Sequence, residues 1–248
     1  MAVSDKLHGI QLEPDDGASS ACWSCGDMRA AHFCTSCGSL QPALPTDYFS
    51  FFGLPRKLNV DTAKLEKDFY RFSRKLHPDV FSRATEKEQE WSLQKTSQLN
   101  DAYRTLKDPI ARTEYLLKLE GVHMEEQSKS ATEKARESGE VKKQVVPPDM
   151  LEEVFELNMQ LEDARMNKKM GEEDENLKRE LQQTKANLQQ KFGALDEELK
   201  RYWSDWDLLQ DSGATDDERK KTRDKMVDVL NRRTYVRNLV RDVNEVLE

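Results

Sequence analysis

Residues 61–80 read DTAKLEKDFYRFSRKLHPDV, and the fold is read outward from them. Leu65, Phe69, Phe72 and Leu76 recur at spacings of four, three and four. That places them on one face of a helix beginning near Asp61 or Thr62, with Asp61 as N-cap. The helix must stop near His77, because Pro78 disfavours helical geometry at the residue before it. Lys64, Lys67, Arg71, Arg74 and Lys75 lie on the same segment, so Thr62–Leu76 carries five positive residues against two negative ones, Glu66 and Asp68. The simplest account is that Pro78 ends a helix and the basic residues form a solvated face. A second helix is expected over about Glu86–Lys107, where Thr85 and Glu88 have capping-box spacing and Leu99, Ala102, Tyr103 and Leu106 form the inner stripe. Asp108-Pro109 breaks the chain, and a short third helix follows with Tyr115, Leu116 and Leu119 inward and Gly121 as its C-cap. Two antiparallel helices joined by a loop, with a smaller third, make an independent small bundle.

The rest of the chain agrees with an all-α molecule. Its 248 residues are 36% hydrophobic and 35% charged. That suits thin helical bundles, which bury one stripe per helix. Only 10 Gly and 8 Pro argue against a sandwich or barrel. A net charge of −8 gives no overall attraction to nucleic acid, and no stretch reaches the roughly 18–20 apolar residues of a membrane span. Met1–Gly17, with Asp5, Glu13, Asp15 and Asp16, reads as neither a secretory signal nor an Arg-rich presequence. The expected setting is a bacterial-type cytoplasm, with the mitochondrial matrix as the alternative. Composition divides the chain into a disordered 1–20, a cysteine module at 21–45, the hairpin unit at 46–120, a charged linker at 121–148 and a three-helix bundle at 149–248. The bundle helices are expected near 149–170, 172–210 and 216–247, the last opened by a Thr215/Glu218 capping box.

All four cysteines lie in Cys22-x2-Cys25-x8-Cys34-x2-Cys37, each pair followed by a glycine, Gly26 or Gly38. Two C-x-x-C turns can complete a tetrahedron of thiolates around one ion. The block has only Trp23, Met28, Phe33 and Leu40 for a core, whereas a structural zinc supplies roughly 10–16 kcal/mol. Structural zinc is therefore expected, bound by Cys22, Cys25, Cys34 and Cys37. An iron centre on the same ligands, two disulfides and a redox C-x-x-C pair are the alternatives, and His32 could replace one sulfur, although a surface position is expected for it. For the module's role, a homodimer contact and a docking site are both open.

In the first bundle helix, Met150, Val154, Leu157, Leu161 and Ala164 share a core face, while Leu151, Phe155 and Met159 form a second apolar line at i, i+4 and i+8. That line is either a second core contact or a contact surface. On the last helix Met226, Val229, Val236, Val240, Val243 and Leu247 face the core, and Tyr235 is expected well round from them.

Asp47-Tyr48-Phe49, Phe52-Gly53-Leu54-Pro55, His77-Pro78-Asp79, Leu99 through Pro109, then Arg112 and Tyr115-Leu116-Leu117 closely resemble a J-domain. More narrowly, the Asp-Tyr-Phe opening and the Tyr-Leu-Leu-x-Leu-x-Gly ending resemble the HscB type, the J-domain co-chaperones of iron–sulfur cluster assembly. The resemblance covers Asp47 to Glu248, and the cysteine block resembles the zinc module that some members carry. It implies no catalytic residues. Instead His77, Pro78 and Asp79, with Lys64, Lys67, Arg71, Arg74 and Lys75, would dock on a DnaK-class ATPase chaperone and promote its ATP hydrolysis. It further implies that Leu151, Phe155, Glu156 and Met159, with Tyr235 as the aromatic position, hold an IscU-type iron–sulfur scaffold protein. Met159 stands where the family pattern has an acidic residue. A general protein-folding co-chaperone would carry a Gly/Phe-rich segment and β-rich client domains, and this sequence has neither.

Overall fold

A computed structural model describes residues 21–27, 32–122, 147, 150–171 and 174–248. The expected disorder of 1–20, nearly all of the 121–148 linker and the core position of Met28 lie outside the described residues. The fold is all-α. Its elements are α1 (Tyr48–Phe51), α2 (Thr62–Leu76), a 3-10 turn (Pro78–Phe81), α3 (Glu86–Lys107), α4 (Pro109–Leu119), α5 (Leu151–Met170), α6 (Glu175–Ser212) and α7 (Asp216–Leu247). They fall into two compact units, 1–56 with 60–113 and 57–59 with 114–248. The cysteine module is thus part of the same body as the hairpin, not a separate one.

In the first unit, Asp61 caps α2 through the Lys64 amide and Thr85 and Glu88 form the capping box of α3. Leu65, Leu76, Leu99, Ala102 and Leu106 are buried between the two helices. Phe69 is half-buried and lies flat on Tyr103, with ring centroids 4.1 Å apart. Asp108-Pro109 proves to be a helix start: the Asp108 carboxylate accepts from the Ala111 amide at 2.7 Å, and Pro109 takes the first helical position, where its missing N–H costs nothing. The part of α4 from Glu114 onward belongs to the second unit; there Leu116 and Leu117 are the deepest residues, with Tyr115 and Leu119 half-buried.

One short element was hidden within the opening motif. Asp47 accepts from the Ser50 amide and hydroxyl, both at 2.9 Å, and so caps α1. The buried carboxylate also pairs with Arg56 at 2.9 Å. Burial alone would raise its pKa, but the Ser50 amide, Arg56 and the Ser50 hydroxyl together hold it below the usual carboxylate value.

In the second unit, Met150, just before α5, and Val154, Leu157 and Leu161 of α5 pack with Leu181 and Leu188 of α6 and with Tyr235, Val236, Leu239 and Val243 of α7. Gly171 and Gly213, both in the left-handed conformation, end α5 and α6. Tyr235 requires a correction. It is 6% exposed and belongs to the core. Because α7 packs against both α5 and α6, its buried arc is wider than one stripe, and a residue one step from Val236 still falls inside it.

Candidate functional site

The corner between α2 and α3 is set by two neighbours. Pro78 stops α2 and starts the 3-10 turn. The carbonyl of Leu76, left without a helical partner, accepts from the Ser92 hydroxyl at 2.6 Å and the Thr96 hydroxyl at 3.0 Å, both on α3. His77 caps the turn: its Nδ1 accepts from the Asp79 amide at 3.2 Å, which leaves the ring proton on Nε2. The Asp79 carboxylate lies 3.5 Å from the same nitrogen and is nearly fully exposed. A donor on His77 and a carboxylate on Asp79 are therefore presented together on a stiffened turn.

All five basic residues of α2 are exposed. At 100° per residue, Lys64, Lys67, Arg71, Arg74 and Lys75 occupy one arc of about 100°, separate from the Leu65–Phe69–Phe72–Leu76 face. Arg71 is braced by Asp68 at 2.7 Å and by the Phe72 ring, 4.7 Å from its guanidinium carbon. Arg74 Nε donates to the Tyr70 carbonyl at 3.3 Å. The arc runs along α2 to Lys75, two positions before His77, so its C-terminal end adjoins the corner.

The four cysteines form a second site. Two similar turns build it. In the first, Gly26 N–H donates to the Cys22 carbonyl (2.8 Å) and Ser24 N–H to Cys22 Sγ (3.4 Å). In the second, Gly38 N–H donates to the Cys34 carbonyl (2.9 Å) and Ser36 N–H to Cys34 Sγ (3.4 Å). Gly26 and Gly38 have φ of 77° and 76°, which a side chain would strain. The sulfurs all lie within 4.8 Å of one another, with Cys22–Cys37 and Cys25–Cys34 at 3.6 Å. Zn–S bonds of about 2.3 Å place tetrahedral sulfurs about 3.8 Å apart, so the set fits one such ion. Left to themselves the thiols do not ionise together. The Ser39 hydroxyl and amide lower Cys37 to about 6. Cys25, despite a hydrogen bond from the Asp27 backbone that favours its thiolate, is pushed up to about 12 by the sulfurs of Cys34 and Cys37, burial and the sulfur of Cys22. A cation at the centre would relieve that repulsion.

His32 is neither a ligand nor a surface residue. Nε2 lies 2.8 Å from the Phe51 carbonyl, which can only accept, and Nδ1 lies 3.4 Å from the Lys95 ammonium, which can only donate. Both ring nitrogens are therefore committed, as the neutral Nε2–H tautomer. Burial holds its pKa below the usual value, and burial likewise lowers Lys95 to about 8. Sequence periodicity gave no warning of Lys95, because a buried lysine on α3 is indistinguishable there from a surface one.

On α5, Leu151, Phe155 and Met159 are exposed, Phe155 by 66%, and Glu156 is exposed beside them. The alternative of a second core contact does not hold among the described residues. Met166 and Met170, which the spacing of the first three did not flag, are also exposed and prolong the line along the helix. Tyr235, buried in the core, is not part of this surface.

Residues 47–115 match the DnaJ domain. With a His-Pro-Asp corner on a helical hairpin, the chain is a J-domain protein. The mouse "Iron-sulfur cluster co-chaperone protein HscB" is 34% identical over 173 residues, covering 67% of this chain and 68% of the mouse protein. The human protein of that name is 40% identical over 113 residues, covering 43% of this chain and 48% of its own length. A Vibrio cholerae "Co-chaperone protein HscB homolog" is 44% identical over 78 residues, covering 32% and 46%. The chain therefore spans about half the length of these last two relatives. The crystal structure of human HscB superposes with a TM-score of 0.55 at 25% identity, covering 91% of this chain and 97% of that one. The chain belongs to the HscB family of iron–sulfur cluster co-chaperones.

Proposed function

We propose that this protein brings an IscU-type iron–sulfur scaffold protein to a DnaK-class chaperone, stimulates the chaperone's ATPase and so promotes cluster transfer. It performs no catalysis itself. The observation that carries this is the His77-Pro78-Asp79 corner standing at the end of the exposed basic arc of α2. Lys64, Lys67, Arg71, Arg74 and Lys75 offer a positive track to an acidic partner surface, and Asp79 can make a charge-assisted bond to an arginine of the chaperone. Leu151, Phe155, Glu156 and Met159 form the scaffold contact, an exposed apolar line edged by a carboxylate. The ion of the tetracysteine site is zinc in a structural role, supported by the all-sulfur donor set.

The test is steady-state ATP hydrolysis by a purified DnaK-class chaperone, with and without the scaffold protein. The wild-type chain should raise turnover, and more so with scaffold present. His77→Gln should leave turnover at its basal level while the melting temperature stays unchanged. Stimulation by that variant equal to wild type would refute the docking role. Metal analysis of the purified chain should give one zinc per molecule; a stoichiometric iron content would overturn the assignment.

A further inference from the structure

Two side chains of the cysteine module grip the hairpin that carries the His77-Pro78-Asp79 corner. Trp23, beside the ligand Cys22, sets its ring edge-on to Trp91 at 5.7 Å, and its indole N–H donates to the Leu40 carbonyl at 2.7 Å. His32 lies against Phe51 of α1 at 4.3 Å and Phe72 of α2 at 5.0 Å, and bonds Lys95 of α3. One imidazole therefore touches all three helices. Trp91 and Lys95 stand next in sequence to Ser92 and Thr96, whose hydroxyls hold the carbonyl of Leu76, the residue before His77.

The position of His32 depends in turn on the cysteine cluster. Its carbonyl accepts from the Gln41 amide at 3.0 Å, and the buried Gln41 side chain donates to Cys22 Sγ at 3.3 Å. Leu40 is the one large apolar side chain buried among the module's described residues, too little to hold the segment without a cross-link. If the sulfurs lost their ion, His32 would be released. The buried Lys95 ammonium would then lose this acceptor and have to reach water, which opens the first turns of α3.

We propose that the tetracysteine module is a metal-dependent buttress of the J-domain, in which occupancy of the four sulfurs keeps His32 on Lys95 and Trp23 on Trp91, and these contacts keep the start of α3 and the corner it anchors in place. The link from metal to α3 stands on this geometry alone; its consequence for chaperone stimulation rests on the function proposed above.

Hydrogen exchange on the full chain, loaded with zinc and then stripped by a chelator, tests the link. Stripping should accelerate exchange at least tenfold across residues 76–99, while residues 181–206 of the bundle, the internal reference, change less than twofold. His32→Ala keeps all four cysteines. It should show the faster exchange even when zinc-loaded, and should weaken zinc affinity by a similar factor, since coupling is reciprocal. His32→Gln, which retains a donor and an acceptor, should recover part of the protection. Lys95→Met, which keeps the packed stem, covers the case in which His32→Ala does not fold; it should reduce the effect of metal on α3 at least threefold. Exchange across 76–99 that stays within twofold on stripping would overturn the buttress, whatever the ATPase assay shows. Accelerated exchange in a protein that never stimulates the chaperone would instead sink the docking role and leave the buttress standing.

Discussion

Single residues divide between those that present chemistry and those that hold the presenters still. His77 and Asp79 present; Pro78, Ser92 and Thr96 hold. Asp47 also belongs to the second kind. Its carboxylate caps α1 and pairs with Arg56 from a buried position. Asp47→Ala should cost about 1–2 kcal/mol, the usual worth of an N-cap, with little added for a pair whose arginine is partly solvated. Urea unfolding of the full chain measures it. The carboxyl's folded pKa lies below its unfolded value of about 3.9. Its contribution is therefore fully present above about pH 4 and is lost as pH falls through the folded pKa. Asp47→Asn should flatten the acid limb of stability below pH 4; an unchanged limb would show that this carboxylate carries no such linkage.

At the scale of elements, α2 and α5 each have two working faces. Helix α2 buries Leu65 and Leu76 and turns its basic arc outward. Helix α5 buries Val154, Leu157 and Leu161 and leaves Leu151, Phe155 and Met159 in solvent. With 53–66% of each residue exposed, each forgoes roughly half to two-thirds of the 1.5–3 kcal/mol that full burial gives, which a covering partner would recover. Changing Leu151 and Phe155 together to Ala should weaken scaffold binding at least tenfold in calorimetry, without lowering the stability of the bundle. Equal affinity would leave the line without a role in that contact. Met159, Met166 and Met170 add flexible apolar surface to the same face, suited to adapting its fit.

Over the whole molecule the net charge is −8, yet α2 carries a local excess of positive residues. Attraction to an acidic partner is then short-ranged, acting over about 10 Å at 0.1 M salt. Chaperone association should weaken several-fold between 50 and 300 mM salt, mainly through its on-rate; an affinity flat in salt would exclude steering by the arc. The periodicity from Asp61 to Lys107, the capping boxes at Thr85 and Thr215 and the paired C-x-x-C turns were legible in the sequence, because local backbone geometry and ligand spacing depend on near neighbours. So were the eight residues proposed for docking, which lie within sixteen positions of one another. Tyr235, His32 and Lys95 were not legible. Whether such a side chain ends in solvent or in a core depends on which distant helix packs over it, and helical spacing is silent on that. The tertiary structure alone decided that the cysteine module leans on the hairpin, since those contacts join positions up to 68 residues apart, beyond the reach of any local pattern.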